Sequence, residues 1–120
     1  MIIENAVRDY LAGKSMDLAG DKIFLEVPAK PPDEYVMVEK TASGKENQIN
    51  SAMIAVKSIS RDKENGMYKV QLINEAVKEA MDSFADESDQ IYACRLNTDY
   101  NFTDPDTKEH RYQAVFNIFY

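Results

Sequence analysis

A single cysteine, Cys94, leaves this 120-residue chain without an intrachain disulfide framework and fits a reducing compartment. The single histidine, His110, has no cysteine near it in sequence, which argues against a zinc site. Long apolar runs are missing as well. The most continuous are IFLEV at 23–27 and MIAV at 53–56, far below the ~20 residues of a bilayer span, so no membrane partner is expected. The opening MIIENAVRDY carries acidic residues early and no long apolar segment, so it predicts no signal peptide and a protein made in the cytoplasm. Basic residues are in deficit, 14 against 21 acidic, and the net charge of −7 opposes a phosphate backbone. With no basic patch interleaved with aromatics, sequence-specific nucleic-acid binding is not expected.

Catalytic and cofactor motifs are absent too. Gly13-Lys14-Ser15 has the form of the end of a phosphate-binding loop, but that motif needs a glycine where Arg8 stands, and it follows a strand rather than a helix. Cys94, between Tyr92 and Leu96, reads as a small buried hydrophobe without a positioned base. The acidic groups Asp82, Asp86, Glu87, Asp89 and Asp99, Asp104, Asp106, Glu109 lack the ligand spacing, central glycine and terminal glutamate of a helix–loop–helix calcium site. They read as solvated turns. No catalytic, cofactor-binding or metal-ligating residues are therefore assigned, and the chain is not expected to be an enzyme. One alternative of another class stays open, a small ligand-binding or hydrolytic domain using Asp99, Asp106 and His110.

What is present is a folding sequence. Apolar residues make up 44%, with seven Tyr and five Phe, enough for one modest core at this length. Ile2, Ile3, Ala6, Val7, Tyr10 and Leu11 recur at helical spacing over 2–12, and Gly13 supplies a stop. A brief strand over 23–27 ends at Pro28, and three prolines in the five residues 28–32 predict an extended connection. Strands follow over 35–41 and 49–60, the second apolar on both faces. Between them the polar segment Thr41–Asn50 reads as a long mobile hairpin loop. Its residues Ala42, Ser43, Gly44, Lys45, Glu46, Asn47 and Gln48 are the candidate assembly-interface loop, because long loops are commonly disordered or functional.

A charged turn at 61–66 offers Asp62 or Asn65 as a cap. Leu72, Ile73, Ala76, Val77, Ala80, Met81 and Phe84 then form the clearest helical stripe, with Gln71, Asn74, Glu75, Lys78, Glu79 and Asp82 opposite. Two alternating strands close the chain. The first places Tyr92, Cys94, Leu96, Thr98, Tyr100 and Phe102 on one face; the second places Tyr112, Ala114, Phe116, Ile118 and Tyr120 on one face; a polar turn joins them as an antiparallel hairpin. The order α-β-β-β-α-β-β predicts an α+β fold, an antiparallel sheet with two helices on one face, in one domain over 1–120.

The stretches EYVMVEKT, SAMIAVKS and LINEAVKEAMDSF, and above all the block DYNFTDPDTKEHRYQAVF with Arg111, Tyr112 and Gln113 in its closing strand, resemble small tail-completion proteins of phages and prophages of Gram-positive bacteria. The likeness runs over about 23–120 and is nearest to the tail terminator family. It implies a structural virion protein at the head–tail junction, whose α+β subunits form a ring, usually of six, on the last ring of tail-tube protein. Such a ring ends tube polymerisation and offers a surface to the head-completion connector; a neck adaptor joining head and tail is the second role in the same setting. DNA would pass through the lumen without specific binding. Acidic residues in turns, Glu46, Asp86, Glu87 and Asp106, are the candidates for ring faces that keep it from sticking.

Overall fold

A computed structural model describes residues 1–107 and 109–120. Its elements are α1 (Ile3–Lys14), a 3-10 turn at Asp17–Ala19, β1 (Ile23–Phe24), β2 (Glu34–Glu46), β3 (Ile49–Ser60), α2 (Gly66–Asp82), the single-turn α3 (Phe84–Glu87), β4 (Ala93–Asn101) and β5 (His110–Phe119). The five strands form one sheet in the order β1-β2-β3-β5-β4. β2, β3, β5 and β4 are antiparallel throughout, while β1 pairs with β2 in parallel through Ile23 and Phe24. The fold is α+β in the expected order, but the sheet is mixed rather than antiparallel. β1 is shorter than the expected 23–27 because the chain bends at Leu25 and Glu26, and the extended proline-rich run that follows carries it back to start β2 in the same direction.

Both main helices lie on one face of the sheet. Ile3, Val7 and Leu11 of α1 and Val70, Ile73, Val77 and Met81 of α2 are buried. The two stripes share one core with Val36 and Val38 of β2, Ala52, Ile54 and Val56 of β3, and Ala114, Phe116 and Ile118 of β5. Each large side chain here contributes roughly 1.5–3 kcal/mol by leaving water. Phe84 follows α2 and closes the end of this core, its ring 4.6 Å from that of Tyr10. The Tyr10 hydroxyl lies 2.9 Å from the Ala80 carbonyl and 2.7 Å from Glu87 Oε2, tying α1 to the end of α2 and to α3.

Two expected helix features are revised. Asn74 does not face solvent but is 2% exposed, and its Nδ2 donates to Asp99 Oδ2 at 2.9 Å. Neither Asp62 nor Asn65 caps α2 through its side chain. Asp62 acts one turn earlier, its Oδ1 accepting from the Glu64 and Asn65 amides at 2.8 and 3.3 Å and its Oδ2 meeting Lys69 Nζ at 2.6 Å. The Lys69 ammonium and those two amides pull the Asp62 carboxyl down to about 2.

Two strand features are revised as well. The segment Ala42–Gln48 is not a loop. Its residues Ala42 to Glu46 continue β2 and pair in register with Ile49 to Met53, leaving only Asn47 and Gln48 as the turn. Both turn residues have positive φ, 51° and 66°, the conformation a two-residue hairpin turn requires. In β4 the face expected to run from Tyr92 to Phe102 is broken by a bulge between Leu96 and Thr98. Cys94 and Leu96 lie on the helix side beside Ile118 and Phe116, whereas Thr98 and Tyr100 lie on the other side, beside Val115 and Gln113. The extra residue, Asn97, brings Asp99 round to face α2.

Candidate assembly surfaces

Three places invite functional reading: the end of the hairpin, the sheet face away from the helices, and the acidic hairpin end. The first is built by the long β2–β3 pair, which helps stretch the molecule to 48 Å against 25 Å in the other two directions. Thr41 to Ile49 are all exposed. A bulge between Lys40 and Ala42 resets the alternation, and the Thr41 hydroxyl covers the irregularity by donating to the Met53 carbonyl at 3.3 Å. Beyond the bulge Ala42, Gly44 and Glu46 share the open face with Met53, Ser51 and Ile49, while Ser43 and Lys45 share the helix side with Ala52 and Asn50. A Cβ at Gly44 would sit 3.3 Å from Ser51 Oγ, a tight contact that a small shift of the serine side chain relieves.

The open face divides in two. Near the start of β2, Tyr35 and Ile59 are buried at 2% and 4% exposure, although no helix covers them. The chain around Val27 and Pro31 crosses this part, and Arg61 Nη1 holds it by donating to the Pro31 carbonyl at 3.1 Å. Phe102 folds over Lys57, whose Nζ lies 5.6 Å from the ring centre, and Gln113 Nε2 donates to the Tyr100 hydroxyl at 2.7 Å. Towards the turn nothing crosses among the described residues. Ala42, Gly44, Ser51, Met53, Asn117 and Phe119 floor a shallow depression of about 280 Å³. Small and apolar side chains in a flat array suit packing against another protein surface better than holding a small ligand.

The acidic hairpin does not converge on a reaction centre. Asp99 is engaged by α2: it accepts from Asn74, and Lys78 Nζ lies 3.0 Å from the same oxygen and 2.8 Å from Glu75 Oε1. Asp106 sits in the exposed turn, its amide donating to Asp104 Oδ1 at 2.9 Å. His110 packs under the first residue of α2, so closely that a Cβ on Gly66 would stand 2.2 Å from its Cδ2. The three alternative site residues thus serve three separate contacts. Among the described residues no group of three or more His, Cys, Asp or Glu side chains could hold a metal ion. Cys94 is half-buried at the β4 edge, and burial, with Asp82 nearby, pushes its thiol up to about 12, unfavourable for a nucleophile. Lys14, of the phosphate-loop-like tripeptide, pairs with Glu87 at 2.6 Å.

Sequence reasoning missed two surfaces. On the helix side a groove runs between α2 and β4, about 370 Å³, with Met81, Cys94, Leu96 and Phe116 in its floor and Glu75, Lys78, Glu79 and Asp82 on its rim. Its signal was there in the carboxylates of α2, which periodicity placed only as "away from the stripe". The other is the outer edge of β2 beyond Val38, hidden because the segment read as loop.

No family model matches the chain, and no curated protein matches it. Among solved structures, a chain from the virion of a native gene transfer agent particle aligns with TM-score 0.72 over 98% of this chain and 92% of that one, at 16% identity. The two chains share a fold. The alignment takes in nearly all of both, so the architecture is common to them as a whole.

Proposed function

We propose that this chain is a structural subunit of a phage-like virion, and more specifically the tail terminator, which caps the tail tube as a ring and offers the surface that joins the head. The observation that carries this reading is the near-complete structural alignment with a chain of the gene transfer agent virion. The sequence likeness of the block Asp99–Phe116 to tail-completion proteins supports it independently. A structural role also suits surfaces that are flat and extended. The carboxylate best placed for chemistry, Asp99, is instead spent on holding α2 to β4.

In this reading the tube protein, the head-completion connector and further copies of the chain are the partners, and DNA passes the lumen without specific contact. Glu46, Asp86 and Asp106 are free to serve on the ring faces, being exposed; Glu87 is committed to Lys14 and Tyr10. The exposed end of the hairpin, Ala42–Gln48, keeps its proposed role in assembly as a rigid two-stranded arm rather than a loop.

The test is the tail-length distribution, by negative-stain microscopy, in lysates of the parent phage with this gene deleted. Overlong, variable, headless tails are expected. Tails of normal length that fail to join heads would move the protein to the neck adaptor. Intact infectious particles would remove it from both roles.

A further inference from the structure

The sheet has two unpaired outer edges. On one side β1 covers β2 only at Val36 and Met37, so the backbone from Val38 to Glu46 has no outer partner among the described residues. On the other side the whole nine-residue β4 is an edge strand. The free stretch of β2 is of the same length, and β2 runs antiparallel to β4 because three antiparallel steps separate them.

We propose that copies of this chain join edge to edge, the free half of β2 of one copy adding to β4 of the next as an antiparallel strand. Rotation about an axis along the strands preserves strand direction, so the alternation of the sheet continues across the junction without a break. Because two different edges meet, the contact is head-to-tail and closes into a ring when the rotation per copy divides the circle.

Charge selects this pairing. On β2, Lys40 and Lys45 point to the helix side: Lys40 is opposite Ile54 and 3.8 Å from Glu4 of α1, and Lys45 follows Ser43, opposite Ala52, by one alternation. On the helix side of β4 the groove rim carries Glu75, Glu79 and Asp82 over an apolar floor, with one cation among them, Lys78, which is already paired to Glu75 and Asp99 and leaves Glu79 and Asp82 for an incoming lysine. The ladder sets heights along the strands. Lys40, Ile54, Phe116 and Leu96 lie in one row, and Ser43, Ala52, Ile118 and Cys94 in another. In the same register Val38 to Gly44 of the incoming strand meets Asp99 to Ala93, while Tyr100 and Asn101 lie level with Met37 and Val36, which β1 covers; Lys40 then stands level with Leu96 beside the carboxylates, and Lys45 one row past Ala93. Glu39 and Glu46 lie on the opposite face, away from the acidic rim. Edge lysines and bulges block indiscriminate strand pairing; here they leave one partner edge favourable, the one with carboxylates beside it.

This inference rests on the ring reading for its place in the virion, but its test does not. Two variants of the full chain reverse the charges, Lys40→Glu with Lys45→Glu, and Glu79→Lys with Asp82→Lys. Circular dichroism should show both folded. In sedimentation velocity on the purified chain, each alone should associate ~10-fold or more weakly than the natural sequence. A 1:1 mixture should recover natural association, since both reversed edges then meet complementary partners. A natural chain still monomeric at ~1 mM, variants that associate like the natural chain, or a mixture no better than its parts would overturn the interface. Mixing that restores association beside normal tails in the deletion lysate would keep the interface and discard the terminator; overlong tails with a failed mixing test would do the reverse.

Discussion

The two halves of β2 belong to one continuous strand with one partner, yet they live in different surroundings. From Glu34 to Val38 the strand has helices on one side and the crossing chain on the other, and Tyr35, Val36 and Val38 are buried. From Glu39 to Glu46 every residue is exposed, although the ladder to β3 continues to the turn. Backbone pairing therefore makes the strand, and what lies over it decides whether side chains contribute to stability. The first half belongs to the core. The second is held out on backbone hydrogen bonds, which suits a surface awaiting a partner.

The largest effect should come from a charge under the covered half. Phe84→Asp places an unpaired carboxylate at the closed end of the core and should abolish cooperative unfolding in a thermal melt. A folded Phe84→Asp protein would mean that the helix stripe meets a partner instead. Next, Ile54→Ala, opposite Lys40 but fully buried, should lose about 2–5 kcal/mol in denaturant titration. Ile49→Ala, in the same strand at the exposed end, should stay within about 0.5 kcal/mol. Equal losses at the two positions would erase the contrast between the halves.

Gly66→Ala probes the contact of α2 with β5. The Cβ must displace the His110 ring, and a loss of roughly 1–3 kcal/mol is expected. His110→Ala in the same chain should recover most of it; without recovery, the collision lies elsewhere. At the turn, Gln48→Gly removes a side chain from a residue at φ 66° and should raise stability by ~0.5–1 kcal/mol. The smallest effect is pH-dependent. Asp62 is held below its ordinary 3.8, so its contribution is complete above about pH 4 and is lost as pH falls towards 2. Asp62→Asn should remove that part of the acid sensitivity, and a carboxyl titrating near 4 by NMR would refute the assignment.

Much of this was legible in the residues. The α2 stripe needed only its period, since Ile73, Val77 and Met81 are buried where that period places them. The closing hairpin needed only alternation and a polar turn. Reading failed where burial and pairing part company. Ala42–Glu46 lies beyond the covering layers, so neither face became apolar, and the turn is Asn-Gln, without the glycine that marks a tight hairpin. The β4 bulge was illegible for a related reason. One extra residue turns Asp99 towards Asn74 and Lys78, and no local pattern announces it. The candidate surfaces followed the same division: the polar stretch 42–48 stood out as unusual, while the groove beside β4 exists only where α2 stops short of the sheet edge.

The sequence by itself determined the α+β class, the element order, the two helix stripes and the closing hairpin, because apolar periodicity is a local property written at fixed spacing along the chain. Only the tertiary structure decided that β1 pairs in parallel, that the polar stretch is strand, and which face each half of β4 presents. Those depend on which backbone lies alongside which, and backbone hydrogen-bond donors and acceptors are the same at nearly every residue. The two free edges belong to that second kind of fact, and so does the match between lysines on one and carboxylates beside the other.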